Sequence, residues 1–373
     1  MTDIVNLENR ALFNTHDFPI RRVGDVKNGK VRSAYWLTKD DSVRLSGNHD
    51  INPDADLGVM IISDRISAYD EIWKGENNLN GVPGKGASLN IVSQHWFNKF
   101  DEAGLAGNHI LATPHPLVWI VQKAEPVMIE GIVRAYITGS MWDKFTNKHS
   151  RQFCGIRLSD KLTKNEELRE LMLTPTTKGV AHIRGLHAKD DTNITAYNIN
   201  KNFDKFGLKS RDDIAVYERL LIEGFNLISK TMASKGEIFV DTKFELGYIK
   251  DKNGEFKLIY IDEIGTADSS RYWNSADYAK DRFHVTELSK EGFRQFLKAI
   301  HNPIYGNDIF TNKSRHHEVV EIAKNYRVPV EQMMKVSDTY ADIAEKITGK
   351  PLPKIENARE EILAVLSSYG LLN

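Results

Sequence analysis

Between Gly236 and Trp273 the chain reads GEIFVDTKFELGYIKDKNGEFKLIYIDEIGTADSSRYW, a stretch rich in side chains able to do chemistry. Val240, Thr242, Phe244, Leu246 and Tyr248 alternate there with Asp241, Lys243, Glu245 and Gly247. In a strand, a period of two puts the first set on one face and gathers Asp241, Lys243 and Glu245 on the other. Asn253-Gly254 is the dipeptide favoured in a two-residue hairpin turn, where both central residues take positive φ. With that turn Lys252 pairs with Glu255, and counting up the ladder puts Glu245 directly opposite Asp262. Opposed side chains on an antiparallel pair have Cβ atoms roughly 4.5–5.5 Å apart. Two carboxylates that close repel unless a proton or a cation lies between them. The register therefore predicts a divalent-metal site at Glu245 and Asp262. Oxygen ligands select a hard ion such as Mg2+, which commonly brings nucleotide phosphates with it. The competing reading is a solvated strand face with Lys243 paired to Glu245 or Asp241. Against it stand Asp262-Glu263 and Asp268-Ser-Ser-Arg271, crowded just past the second strand.

These residues need a framework. A chain of 373 residues holds two or three domains, or one large domain with lobes. Lys plus Arg number 50 against 51 Asp plus Glu, so no bulk field favours nucleic acid or an anionic membrane. The 41% hydrophobic fraction suffices for a substantial core. Cys154, the single cysteine, excludes a disulfide framework and fits a reducing compartment. The first residues, MTDIVNLENR, lack an apolar signal core, and no run approaches the length of a membrane span, so a cytoplasmic protein is expected.

Along the chain, residues 1–19 read as a flexible arm or a short helix, and 20–37 as a hairpin turning near Lys27-Asn28-Gly29. Lys30 and Arg32 beside that turn either meet a phosphate or simply lie on a surface. Residues 38–56 read as loop, and Gly58–Ile62 as a short buried strand running into Ser63-Asp-Arg-Ile-Ser-Ala-Tyr-Asp70, a site or an ordinary turn. Gly81–Gly86 is not a Walker loop: Leu79 stands where glycine is needed and Gly86 where Ser or Thr is needed. Apolar spacing predicts helices over Ala87–Phe100, Lys164–Met172 and Arg211–Ala233, and over much of 274–373. Two strands are expected between Pro114 and Ser140, the second carrying Arg134. A guanidinium inside an apolar strand needs an anionic partner, either a ligand or an internal carboxylate. Leu173–Lys178 reads as a turn and His187–Thr195 as a polar loop.

Seven segments, taken together and in order, resemble the SAICAR synthetase family of purine biosynthesis in its longer form. They are Gly29-Lys-Val-Arg32, Ser63–Asp70, Val82-Pro-Gly-Lys-Gly86, Val133-Arg-Ala-Tyr-Ile-Thr-Gly-Ser140, Thr174-Pro-Thr-Thr-Lys178, Asp241-Thr-Lys-Phe-Glu245 and Asp268-Ser-Ser-Arg-Tyr-Trp273. The resemblance implies an α+β fold with two lobes. A smaller antiparallel-sheet ATP-binding lobe would span 15–122 and a larger lobe with the metal and ribonucleotide site 123–300. A helical C-terminal extension, 301–373, would pack on the larger lobe. It implies an ATP-dependent carbon–nitrogen ligase joining L-aspartate to carboxyaminoimidazole ribonucleotide through an acyl phosphate, as a monomer or homodimer, with ATP and Mg2+. By the same likeness Glu245 and Asp262 hold Mg2+ and act with Lys243. Lys30, Arg32, Ser33 and Lys123 attend ATP. Asp64, Ser67 and Asp70 belong to a substrate loop, and Arg134, Ser140, Asp268, Ser270 and Arg271 hold the ribonucleotide. The sequence departs from the family pattern by an insertion within His187–Thr195, by Ala267 in place of a proline, and by Ser289-Lys290-Glu291. Those departures leave a ligase with a different acid or amine, or a small-molecule kinase, as alternative readings.

Overall fold

The computed structural model describes residues 11–147, 151–179, 183 and 191–373. The readings made for residues 1–10 and for His187–Asp190 lie outside the described residues.

Two antiparallel sheets carry the architecture. The first has the order β1 (Lys27–Asn28), β2 (Arg32–Trp36), β3 (Leu57–Ile62), β7 (Val118–Gln122), β6 (Ile110–His115). Its β2 buries Ser33 and Tyr35 on the face that the alternation of 31–37 marks as apolar. A hairpin of β4 (Ile66–Ala68) and β5 (Glu71–Trp73) follows, turned by Tyr69 and Asp70 at φ 56° and 68°. The second, seven-stranded sheet runs β12 (Glu167–Leu173), β9 (Ile129–Tyr136), β14 (Glu237–Lys250), β15 (Phe256–Ile261). Short strands β13 (Thr176–Thr177) on β9, and β8 (Glu125–Pro126) and β16 (Ser270–Asn274) on β14, complete it. A small hairpin, β10 (Gln152–Phe153) with β11 (Ile156–Arg157), stands apart.

The helices are α1 (Lys39–Ser46), α2 (Lys85–Glu102), α3 (Gly139–Asn147), α4 (Ala196–Lys201), α5 (Asp212–Ala233), α6 (Ser275–Lys280), α7 (Lys290–Tyr305), α8 (His316–Asn325), α9 (Val330–Thr348) and α10 (Ala358–Ser368). The stripe Tyr217, Leu221, Phe225, Ile228 and Met232 of α5 is buried, and the helix packs on β14. This is the core face expected from its 3.6-residue spacing. One apolar cluster runs through both sheets and the helices between them. None of the described helices is long and apolar enough to cross a membrane.

Four expectations are corrected. The β14–β15 hairpin pairs Lys250 with Phe256, so Glu245 faces Ile261 and not Asp262. Its loop has five residues because the Asp251 carboxylate accepts the backbone N–H groups of Asn253 (2.9 Å) and Glu255 (3.0 Å). An Asp side chain capping its own turn competes with the two-residue hairpin that Asn-Gly would otherwise favour. Residues 164–172 do not form a helix: β12 pairs along β9, and tertiary pairing overrides a weak local propensity. The Leu173–Lys178 turn contributes β13 to the same sheet edge. Residues 38–56 hold α1, whose N-terminus is capped by the Thr38 hydroxyl accepting from the Asp41 N–H.

The C-terminal helices were expected to pack on residues 123–300. The helices meet both parts of the chain: α9 lies along α2 and also touches α7, while α10 lies against β6 and α8 against β5. Tyr340 and Lys346 of α9 reach across to Asp268 and Glu237.

Candidate active site

The charged face of β14 lies opposite β9, with Asp241 across from Arg134 and Lys243 across from Ile132. Side chains on facing strands share a face, so Glu130, two residues before Ile132, comes within reach of Lys243. The Lys243 ammonium donates to Glu130 Oε1 at 3.1 Å and to Glu245 Oε1 at 2.5 Å. Lys178, just beyond β13, forms an ion pair with Glu245 Oε2. Burial opposes the charge on Lys243, but the carboxylates of Asp262, Glu130 and Glu263 outweigh it and hold its pKa above the usual lysine value. Lys243 is thus a fixed cation and not a base near neutral pH.

Asp262 reaches this group by a different route from the one its register predicts. It follows the last residue of β15 and takes φ 60°, a left-handed conformation rare for a side-chain-bearing residue. Arg32, from the first sheet, donates to Asp262 Oδ1 at 2.7 Å and approaches Glu263 at 3.4 Å, its guanidinium lying over the Trp119 ring. Burial would raise the pKa of Asp262, yet Arg32, Lys243 and Lys178 bring it down to about 2. Its neighbour Glu263 is pushed up, by burial first and then by Asp262 itself, with Arg32 opposing. The two sheets are therefore joined at a cluster of carboxylates interleaved with Lys178, Lys243 and Arg32. Among the described residues, no three or more His, Cys, Asp or Glu side chains enclose a metal site by themselves. Mg2+ suits such a place, since it takes one or two carboxylates and completes its shell with waters and substrate phosphates.

A second group lies further along β14. Asp241 Oδ2 accepts from Arg134 Nη1 and from Arg271 Nη1, both at 2.7 Å, while Arg134 Nε donates to the Thr174 hydroxyl. The partner of Arg134 is thus an internal carboxylate. Arg271 also binds Glu291 at 3.0 Å and lies against Gly139. At Gly139 φ is 53°, a conformation that favours glycine, and a Cβ there would come within 2.5 Å of Arg271 Nη2 and push the guanidinium aside. Ser140, next to it, is exposed at the start of α3, and Ser270 is buried with its hydroxyl 2.8 Å from that of Thr242. Asp268 accepts from Lys85 at 2.8 Å and from the Tyr340 hydroxyl, and pairs with Lys290 at 3.4 Å.

The remaining predicted residues are more dispersed. Lys30 pairs with Asp70 at the exposed edge of the β1–β2 hairpin. Lys123 lies over the Trp36 ring and 3.6 Å from Asp56. Ser33 is fully buried and bonded to Asn28 and Thr15, so it braces the hairpin. Ser67 is buried in β4. Asp64 is a buried clamp, accepting the backbone N–H groups of Leu12 and Gly86, each at 2.8 Å. Glu130, Lys85 and Tyr340 are not among the predicted site residues, and Lys290 and Glu291 enter only through the departure at Ser289-Lys290-Glu291. Lys85 sits in the Val82–Gly86 segment, but Tyr340 carries no local signal at all.

Burial raises the pKa of Asp64 from 3.8 to about 6, against the two N–H donors and Lys85. Below 3.8 folded and unfolded chains both hold the proton. Between 3.8 and about 6 only the folded chain keeps it, so this group's contribution to stability falls as pH rises through that window and is level above it. We expect Asp64→Asn to flatten the melting temperature between pH 4 and 6 relative to the parent chain. Parallel profiles would refute the assignment.

Residues 25–307 match the SAICAR synthetase family model. The phosphoribosylaminoimidazole-succinocarboxamide synthase of Aliivibrio fischeri (strain MJ11) is 52% identical over 373 residues, covering 99% of this chain and all of that protein. The enzyme of the same name from Colwellia psychrerythraea is 53% identical with the same coverage. Among solved structures, SAICAR synthase from Saccharomyces cerevisiae complexed with SAICAR superposes with a TM-score of 0.63 at 24% identity, over 92% of this chain and 99% of that one. A SAICAR synthetase in complex with ADP gives 0.55 at 22% identity, over 89% and 100%. Those structures share the α+β fold of this chain. On the family match and the whole-length identity, the chain belongs to the SAICAR synthetase family. It is an ATP-dependent carbon–nitrogen ligase of purine biosynthesis, and a kinase or a ligase of altered substrate is not favoured.

Proposed function

We propose that the chain joins L-aspartate to the carboxylate of carboxyaminoimidazole ribonucleotide, with ATP as phosphoryl donor, at the cluster around Lys243. The carboxylate oxygen attacks the γ-phosphorus, the bond to the ADP oxygen breaks, and an acyl phosphate forms. The aspartate amine then attacks the acyl carbon, phosphate leaves, and the nitrogen gives up a proton to yield the amide SAICAR. Such chemistry asks for fixed positive charge where negative charge builds on the transferring group. Lys243, held protonated between Glu245, Glu130 and Asp262, supplies it. Glu245 and Asp262 would hold Mg2+, which when bound neutralises phosphate charge. Lys30, Arg32 and Lys123 would line the ATP side, and Arg134, Ser140, Asp268, Ser270 and Arg271 the ribonucleotide side, with Asp64, Ser67 and Asp70 shaping the loop between.

Residues 15–122 would then form the ATP-binding lobe and 123–300 the ribonucleotide lobe, in line with one sheet lying within 27–122 and the other within 125–274. A cytoplasmic monomer or homodimer suits such a metabolic role. The observation that carries the reading is Arg32, which crosses from the first sheet to Asp262 beside Lys243 and so joins the two halves at one point of charge. The test is ADP release with the ribonucleotide, Mg2+-ATP and L-aspartate, omitting each in turn. Release only with all three is expected. Release without aspartate would point to a phosphoryl transferase, and indifference to the ribonucleotide would refute the reading.

A further inference from the structure

The family match ends at residue 307, yet a side chain from beyond it touches the site. Tyr340, fully buried on α9, donates its hydroxyl to Asp268 Oδ1, while Asp268 Oδ2 takes Lys85 and Lys290. We propose that Tyr340 is a positioning residue for the ribonucleotide pocket: its hydroxyl fixes the Asp268 carboxylate between Lys85 and Lys290. The inference rests on the placement of Asp268 at the ribonucleotide.

Three observations support it. First, the Asp268 side chain is 3% exposed and that of Lys85 is 0% exposed, so water has little access to replace a lost donor. A buried acceptor deprived of its partner loses more than an exposed one does. With both oxygens engaged, the carboxylate has one orientation; without the phenol, it is free to turn towards its two lysines.

Second, the hydroxyl is a permanent donor. Burial and the adjacent Asp268 carboxylate raise the phenol pKa well above its usual value, so it stays protonated throughout the working range. The Tyr340 ring also lies 5.5 Å from the Lys85 ammonium.

Third, α9 is held at its middle and near its C-terminal end on the elements that build the site. Ser337 donates to the Pro83 carbonyl at 2.6 Å, and Ser88 donates to the Tyr340 carbonyl at 2.8 Å, tying α9 to α2 and the loop before it. Lys235 binds the carbonyl of Lys346, and the Lys346 side chain pairs with Glu237 at the start of β14. The phenol is thus delivered by a helix tied both to α2, which Lys85 begins, and to the strand that carries Lys243. A segment outside the matched family region helps to set substrate affinity.

The test uses Tyr340→Phe, which keeps the ring and removes only the hydroxyl, together with Asp268→Asn and the double variant. We expect Tyr340→Phe to raise KM for the ribonucleotide about tenfold, with KM for ATP within twofold and the melting temperature close to the parent. The two substitutions should not add: the double variant should bind the ribonucleotide no worse than Asp268→Asn alone, because coupled residues lose their shared contribution once. An unchanged ribonucleotide KM in Tyr340→Phe, or fully additive effects, overturns the proposal while leaving Asp268 in place. Equal rises in all three KM values with a lowered melting temperature also overturn it, in favour of a general packing role. If Asp268→Asn itself leaves the ribonucleotide KM unchanged, the placement of Asp268 fails first and the Tyr340 proposal falls with it.

Discussion

Glu245→Gln is expected to lower turnover by on the order of 10²–10³-fold while the chain stays folded, the scale seen when a single group facing developing charge is removed. Gln matches Glu in shape, so the packing of this buried side chain survives. What is lost is the charge that holds Lys243 at 2.5 Å and draws in Lys178 from the β13 side. A neutral amide is also a much weaker ligand for a hard cation. Both consequences act on the phosphoryl-transfer end of the reaction. The apparent Mg2+ requirement should therefore rise along with the fall in kcat, while the affinity for the ribonucleotide changes little. ADP release as a function of Mg2+ concentration, alongside a thermal melt, checks this. Parent-like turnover at ordinary Mg2+ would reject Glu245 as a ligand.

Asp241→Asn should cost stability as well as disturb the two arginines of the ribonucleotide side. Asp241 is buried, and one of its oxygens accepts from two guanidiniums at 2.7 Å each. Burial opposes the charge on Arg271, but Asp241 and Glu291 outweigh it and push its pKa up. Removing the central negative charge leaves Arg134 and Arg271 side by side with Glu291 as the surviving carboxylate contact of the pair. Breaking a buried ion pair by deleting one partner typically costs about 3–5 kcal/mol, because the remaining charge is stranded in a poor solvent. Denaturant titration measures that loss directly. A loss below about 1 kcal/mol would mean that water or a neighbouring carboxylate takes over, and that the triad does not anchor β9 and β16 onto β14.

Much of this arrangement was legible locally. The two-residue alternation of 237–250 marks which side chains share a face, because a strand offers only two directions. Asp241, Lys243 and Glu245 follow that rule even though a register irregularity falls between Phe239 and Asp241. The helical stripe of α5 was equally plain. Where local signals were weak the reading failed. Residues 164–172 carry a mild helical pattern, and the open edge of β9 recruits them as a strand.

The sequence by itself determined the chemistry available on β14: two carboxylates around a lysine on one strand face, with more acids past the next turn. Only the tertiary structure decided how they meet. The hairpin register shifted by one residue, which by strand geometry alone sends Asp262 to the wrong face. Its left-handed backbone and the reach of Arg32 from another sheet bring it back. That the carboxylate partner of Arg134 is Asp241, 107 residues away, was equally open. Tyr340 joins Asp268 across 72 residues of chain, a contact with no trace in local pattern. Periodicity records which way a side chain leaves its own element. Which partner it finds depends on how elements far apart in sequence dock, and that is settled by the burial of the whole core.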